Sequence, residues 1–232
     1  MTVQTKFLIV YILNIETATR NCSVALAKDG ATLICKEIAD IGFSHAEKLH
    51  VFIEEIIKEA EINFSDLEAI AVSKGPGSYT GLRIGVSAAK GLCFALDIPL
   101  ISINTLLSLA KQVTIEKGLI IPMIDARRME VYSAIFDVDY SMIRGVEAQI
   151  LDENSFSEID QAIYIIGDSS EKAKTILTNK NITYLGEIQF PSSKEMCKLS
   201  FEKFQNNDFE DVAYFEPYYL KDFLIGTSKI GG

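Results

Sequence analysis

Ser73-Lys74-Gly75-Pro76-Gly77-Ser78-Tyr79-Thr80-Gly81-Leu82-Arg83-Ile84-Gly85 is entered from a short apolar run, Ala69-Ile70-Ala71-Val72, and left by a long one, Val86 to Leu96. That order predicts a strand, a tight Gly/Pro turn and a helix. Such a junction aims a helix N-terminus, with its unpaired N–H groups, at whatever lies beyond the sheet. Anything negative suits that end, from a phosphate to a partner's carboxylate. Pro76-Gly77 fits the centre of a type II turn, Pro setting one φ and Gly taking the positive one. Ser78 or Thr80 can cap the helix. Arg83 falls in the first turn, where a cation opposes the helix dipole at a cost of roughly 0.3–1 kcal/mol. An arginine there points to an acidic group on a partner or ligand; the plainer alternative is a solvent-facing side chain paired with a surface Glu.

The familiar phosphate loops do not fit. A Walker loop needs Gly-Lys-Ser/Thr after its glycines, and a dinucleotide fingerprint needs Gly where Thr80 stands.

Working outward, the 232 residues are 48% hydrophobic and 23% charged, enough for a large core in one domain or two small ones. Net charge is −10, and the densest basic site is Arg127-Arg128. Without a basic stripe the chain is a poor stand-alone nucleic-acid binder. Cys22, Cys35, Cys93 and Cys197 lie among apolar neighbours without CxxC spacing, which reads as buried, reduced thiols of a cytoplasmic protein. Phe7 to Leu13 resembles a weak signal core, but Asn14 and Glu16 interrupt it and it is too short to span a bilayer. It reads instead as a central strand covered on both faces.

Phe7–Ile15 and Cys22–Lys28 are predicted strands, and Asp29-Gly30 the turn of a hairpin into Ala31–Ile38. An amphipathic helix runs from about Ser44 to Glu61, with Leu49, Phe52, Ile53, Ile56, Ile57 and Ala60 on one stripe and a Ser44/Glu47 capping box. The helix to Leu96 is apolar nearly all round and carries Gly81, Gly85 and Gly91. It is therefore buried, or it gives one side to its own domain and the other to a partner, with small residues permitting close approach. Beyond Pro99 come a strand Leu100–Ile103, a helix Thr105–Lys117 and a continuous apolar strand Leu119–Asp125. Laying Glu16 over Asp125 puts Asn21 on Glu130, Ala25 on Ala134 and Leu26 on Ile135, a strand-turn-strand duplication half the chain apart. Further strands at Met142–Leu151 and Ala162–Ile166, and helices near Ser169–Leu177 and Ser193–Phe204, complete a two-lobed α/β arrangement around a cleft.

Five segments occur here in the order of one family: Ile12-Leu13-Asn14-Ile15-Glu16-Thr17-Ala18-Thr19; Cys22 to Leu26; Gly75 to Gly85; Ile124-Asp125-Ala126-Arg127-Arg128-Met129-Glu130-Val131-Tyr132; and Pro217-Tyr218-Tyr219-Leu220-Lys221. In them the chain resembles the TsaB family over nearly its whole length; Asn154–Asp211 carries no signature. The resemblance implies the duplicated two-lobe α/β fold of the actin/sugar-kinase/Hsp70 superfamily, in agreement with the repeat. We expect an N-terminal lobe over 1–103 and a C-terminal lobe over 104–232, with helix 105–117 bridging them. It further implies a non-catalytic scaffold of the bacterial machinery that makes N6-threonylcarbamoyladenosine at position 37 of tRNA. Such a scaffold pairs with the transferase TsaD, is joined by the ATPase TsaE, and forms a homodimer when alone.

Pairing would use the helices Ser44–Glu61 and Thr80–Leu96. The expected contact residues are Ser78, Tyr79, Thr80, Gly81, Arg83, Ile84, Gly85, Ala88, Ala89 and Leu92. Gly85→Arg is expected to break pairing while leaving stability unchanged. Glu16, Thr17 and Asp125 would be vestiges of a nucleotide cleft: Glu16 replaces the family's Asp, and Thr17-Ala18-Thr19 lacks the Gly that lets amides approach phosphate. Glu16 and Asp125 could instead be a carboxylate pair across the cleft. TsaD-type enzymes hold a metal through two histidines one turn apart. His45 and His50, five residues apart, diverge by about 140° and read as polar-face residues that bind no shared ion. No resident cofactor is expected, although a nucleotide could lie where the chain meets TsaD, and neither strong direct tRNA binding nor a membrane partner is expected. Two other classes stay open: an ATP-dependent kinase of the same superfamily, and a metallopeptidase-like hydrolase.

Overall fold

The computed structural model describes residues 9–39 and 45–220. The first sheet contains β1 (Tyr11–Glu16), β2 (Asn21–Lys28), β3 (Ala31–Ala39), β4 (Leu67–Gly75) and β5 (Leu100–Asn104) in the order β3-β2-β1-β4-β5. Its first three strands pair antiparallel, and β1, β4 and β5 run parallel. The second sheet holds β6 (Leu119–Asp125), β7 (Glu130–Phe136), β8 (Met142–Ile150), β9 (Ile163–Ile166) and β10 (Ile182–Tyr184). Its order, β8-β7-β6-β9-β10, repeats the first with the same strand directions. The duplication read from the sequence therefore extends to whole sheets, giving the two-lobe α/β fold. The hairpins differ by one step: Glu16 pairs with Ser23, whereas Asp125 pairs with Val131 and not Tyr132.

Helices cover both faces of each sheet. On the outer face of the first, α1 (His45–Glu59) and α2 (Tyr79–Leu96) pack Leu49, Ile53, Ile56, Val86 and Cys93 onto Leu13, Ile15 and Val24. On the outer face of the second, α4 (Ser170–Lys174) places Ala173 over Ile121, Met123 and Ile163. The inner faces exchange helices. α3 (Thr105–Ala110), which leaves the first sheet, buries Leu106, Leu109 and Ala110 on Ile120, Ile124 and Phe136 of the second. α5 (Ser193–Gln205), which follows the second sheet, buries Met196 and Cys197 on Ile12, Ala25, Ala27, Ala69 and Ala71 of the first. Those alanines keep that face shallow, so a helix can lie close to the strands.

Several sequence expectations are corrected. The bridging helix is six residues long rather than Thr105–Lys117. The helix near Ser169–Leu177 shortens to α4, and the short strand β10 had no sequence signal. Asp29 and Gly30 do form the hairpin turn, with φ of 51° and 81°. The Ser44 half of the proposed capping box and Phe7-Leu8 lie outside the described residues. Among the described residues, no helix is long and apolar enough to cross a membrane.

Candidate functional site

The strand-turn-helix stretch folds as read, with a different turn. The positive φ, 111°, falls on Gly75 and not on Gly77, so Pro76-Gly77 is not the centre of a type II turn; the Gly75–Pro76 peptide is cis. Gly75 is required twice over, since a Cβ there would also press on the Tyr218 carbonyl. Ser78 caps α2, its hydroxyl accepting from Gly81 N at 3.3 Å. Its own N–H donates to Ala18 O at 2.7 Å, and Thr17 Oγ1 donates to Gly81 O at 2.8 Å. The first turn of α2 is thus clamped onto the loop that follows β1.

Glycine makes that clamp possible. A Cβ at Gly77 would overlap the Ala18 carbonyl; at Gly81, the Thr17 carbonyl; at Gly85, Thr17 Oγ1. Here the structure corrects part of the expected contact set. Gly81, Gly85 and Ala89 are buried inside the chain's own core, so they are not a notch for another helix. Thr80 and Arg83 are exposed, and Ser78, Tyr79, Ile84, Ala88 and Leu92 are half-buried. Arg83 lies over the Tyr79 ring, 5.2 Å from its centroid, and donates to Tyr79 Oη at 3.2 Å. Among the described residues no carboxylate forms an ion pair with it, although Glu216 lines the same cleft.

The sequence reading passed over Phe94, the most exposed large apolar side chain described, at 86%. Val51 of α1 is 45% exposed. The signal was available. Leu82, Val86, Ala89 and Cys93 follow i, i+4, i+7, i+11 and form the buried stripe, which leaves Phe94 about 100° off it. A Cβ on neighbouring Gly91 would meet nothing within 4 Å. Together with Ala95, these residues give α2 an apolar outward side.

A C-terminal strap borders this helix. Lys90 Nζ donates to the carbonyls of Ala213 and Phe215 at 3.1 and 2.9 Å, and Tyr218 N donates to Lys74 O at 2.7 Å. The Tyr219 ring lies 4.8 Å from that of Tyr79. Between strap and helix runs a cleft of about 330 Å³ lined by Tyr79, Arg83, Lys90, Phe215 and Tyr219, among others.

The expected nucleotide vestiges are not brought together. Glu16 and Thr17 are fully buried, Thr17 against α2 and Glu16 on the opposite face of β1 beside Ser73. Glu16 Oε1 accepts from Ala18 N at 2.6 Å and Ser73 Oγ at 2.9 Å, and burial raises its pKa to about 7. Asp125 is half-exposed in the other lobe, where its carboxylate takes Lys172 at 2.6 Å and Arg127 N at 3.1 Å. Asp125 N donates in turn to Asp168, whose pKa burial lifts to about 6. A carboxylate pair across the cleft is therefore not formed. Nor do these residues fit a nucleotide: the Thr17-Ala18 backbone is packed against the glycine-lined start of α2, and Glu16 is 0% exposed.

His45 corrects a further expectation. It is buried, with Nε2 2.8 Å from Thr19 O, while His50 is exposed. Ser78 is engaged as a cap. Among the described residues no group of three His, Cys, Asp or Glu gathers into a metal site. Three of the four cysteines are buried, and Cys35 is half-buried.

Against known proteins, the family model described as TsaD, tRNA N6-adenosine threonylcarbamoyltransferase, matches residues 40–221. The protein named tRNA threonylcarbamoyladenosine biosynthesis protein TsaB from Escherichia coli (strain K12) is 29% identical over 230 residues, covering 95% of this chain and 98% of that one. The tRNA N6-adenosine threonylcarbamoyltransferase of Bacillus anthracis is 39% identical over 108 residues, covering 40% of this chain and 32% of the enzyme. The solved structure of YeaZ from Pseudomonas aeruginosa shares the fold with a TM-score of 0.80 at 23% identity, covering 91% of this chain and 100% of that one.

Proposed function

Because the chain belongs to the family described as TsaD, tRNA N6-adenosine threonylcarbamoyltransferase, and is matched over nearly its whole length by a TsaB protein, we propose that it is a non-catalytic subunit of tRNA threonylcarbamoyladenosine synthesis. It binds a TsaD-like transferase through the outward side of α1 and α2. The observation that carries this reading is the split character of α2. Its glycine side is consumed in seating the helix on Thr17 and Ala18, while its other side leaves Phe94 86% exposed. An exposed aromatic among small residues, with Arg83 held on the Tyr79 ring one turn from the helix start, is the composition of an interface centre with a charged rim.

In this reading the partner-facing residues are Thr80, Arg83, Ile84, Ala88, Leu92 and Phe94, with Ser78 and Tyr79 shaping the helix start. Without the transferase the same side pairs with a second copy, and a TsaE-like ATPase joins the assembled pair. The chain's acidity leaves tRNA binding to its partners. By chain order the lobes divide at 103/104, one residue before the end of β5.

The test uses cells depleted of this protein. Wild type is expected to restore threonylcarbamoyladenosine in tRNA by nucleoside mass spectrometry and to co-purify with the transferase. Phe94→Glu is expected to do neither, with binding weakened more than about tenfold, a loss above about 1.4 kcal/mol. Its melting temperature should stay within a few degrees of wild type, because the position is exposed. Full restoration and undiminished co-purification by Phe94→Glu would overturn the interface.

A further inference from the structure

At the end of β1, beside the loop that seats α2 but on the opposite face of the strand, lies a carboxyl group that the proposed pairing does not use. Glu16 ends β1 and is 0% exposed. Its Oε1 is satisfied by Ala18 N and Ser73 Oγ, but Oε2 has no partner. Two residues earlier, on the same face of the strand, Asn14 is equally buried. Its Nδ2 donates to Ile12 O and reaches Cys197 Sγ at 3.7 Å, while its Oδ1 also lacks a donor. Two acceptor oxygens, both sealed from water, thus face the same side of β1 with nothing to accept from. An ionised Glu16 can only accept and leaves both unsatisfied; a protonated Glu16 gains the one O–H that this region lacks.

No cation offsets the charge. Among the described residues Glu16 makes no ion pair. Ser73 on β4 is neutral, and the adjoining Lys74 extends to clefts lined by the strap and by α5. On β2, Cys22 is the titratable neighbour that responds to Glu16, its thiol pushed up to about 11 by burial and then by that carboxylate. On α1, His45 is engaged with Thr19 O at the far end of the loop. From α5 comes Cys197, beside Asn14.

The loop that Glu16 holds is the seat of α2. Oε1 fixes Ala18 N; Ala18 O takes Ser78 N; Thr17 Oγ1 holds Gly81 O. We propose that Glu16 is a proton-operated latch on this seat: as the neutral acid it stays buried and the loop stays clamped to the first turn of α2, whereas the ionised carboxylate, though a stronger acceptor for Ala18 N, is dehydrated where it sits and favours opening of the loop to water. The latch is a property of the fold and does not rest on which partner α2 meets.

The sign follows from linkage. The unfolded chain sheds this proton near pH 4.5, and the folded chain near 7. Between those values the folded state holds a proton that the unfolded state has lost, so stability from this group falls as pH rises and then levels above about 7. The test compares the full-length wild type with Glu16→Gln, whose amide keeps an acceptor and supplies a permanent donor. Native-state hydrogen exchange is read at the amides of Ser78, Gly81 and Leu82 from about pH 5 to 8, corrected for intrinsic rates. Wild-type protection should fall toward tenfold per pH unit up to about pH 7, while Glu16→Gln stays flat. At pH 8 the variant should be better protected, on the order of a hundredfold. Parallel profiles, or a less protected variant at pH 8, would overturn the latch. So would a wild-type Glu16 carboxyl carbon titrating by NMR with an ordinary midpoint near 4.5, a reading that needs no variant.

Discussion

Gly85 shows how one missing methyl group positions a helix. Its α-carbon faces Thr17 Oγ1, and a Cβ there would overlap that oxygen, the one donating to Gly81 O. An alanine must therefore push Thr17 off its hydrogen bond or lift α2 from the loop. Overpacking of this kind costs about 1–3 kcal/mol, which for a chain of this size lowers the melting temperature by roughly 2–4 °C per kcal/mol. Gly91, two turns on, is exposed and meets nothing, so alanine there should be neutral or stabilising by up to about 1 kcal/mol. The thermal melt of Gly85→Ala should fall while that of Gly91→Ala holds or rises, and an equal fall in both would refute the seat. The same geometry rules out Gly85→Arg as a clean interface probe: the larger side chain would damage the fold before it met any partner.

At the scale of the element, α2 is held from two sides that lie far apart in sequence. The loop after β1 clamps its first turn, and the C-terminal strap is pinned to its middle by Lys90. The ammonium replaces water with the Ala213 and Phe215 carbonyls, and hydrogen bonds of this charge-assisted kind are worth about 1.5–3 kcal/mol together with their partners. Val212 and Phe215 then pack on the outer core of the first sheet. Lys90→Met should release the strap while leaving α2 formed. Limited proteolysis with mass spectrometry is expected to find new cleavage within 211–220 and little change in helical circular dichroism; unchanged cleavage would show that the apolar contacts hold the strap alone. Lys172 does a similar job in the second lobe, tying the Arg128 and Glu130 carbonyls and the Asp125 carboxylate into one hairpin loop.

For the whole molecule, the exchange of α3 and α5 decides cooperativity. Each sheet obtains one of its two cores from a helix placed on the other side of the chain order. Removing residues from 192 onward would strip Met196 and Cys197 from the inner face of the first sheet and expose Ile12, Ile101 and Ile103. At roughly 1.5–3 kcal/mol per large buried side chain, that loss is comparable to the whole margin of a typical domain, about 5–15 kcal/mol. The truncated chain should fail to melt cooperatively, although residues 9–104 retain all five strands of the first sheet. Intact protein should unfold in one transition, with tyrosine fluorescence and circular dichroism coinciding. A truncated chain that melts sharply would show the lobes to be independent.

Local pattern alone was enough for much of this. The apolar runs gave the central strands, Asp29-Gly30 gave the hairpin, an i, i+3, i+4, i+7 stripe gave α1, the Gly/Pro turn followed by an apolar run gave α2, and the Glu16-over-Asp125 alignment gave the repeat, because each signal is a pattern of residues within one short segment. Family membership was legible for the same reason, in short motifs that keep their order. What the tertiary structure decided is which side of α2 is free. Gly81 and Gly85 look like a partner's notch until Thr17, more than sixty residues earlier, is found filling it. Glu16 looks like an open cleft residue until it is found fully buried on the face of β1 turned away from α2, and α5 looks like part of the second lobe until it docks on the first sheet. Each of these turns on contacts between distant parts of the chain, whose pairing is set by burial and close packing and leaves no periodicity in the sequence itself.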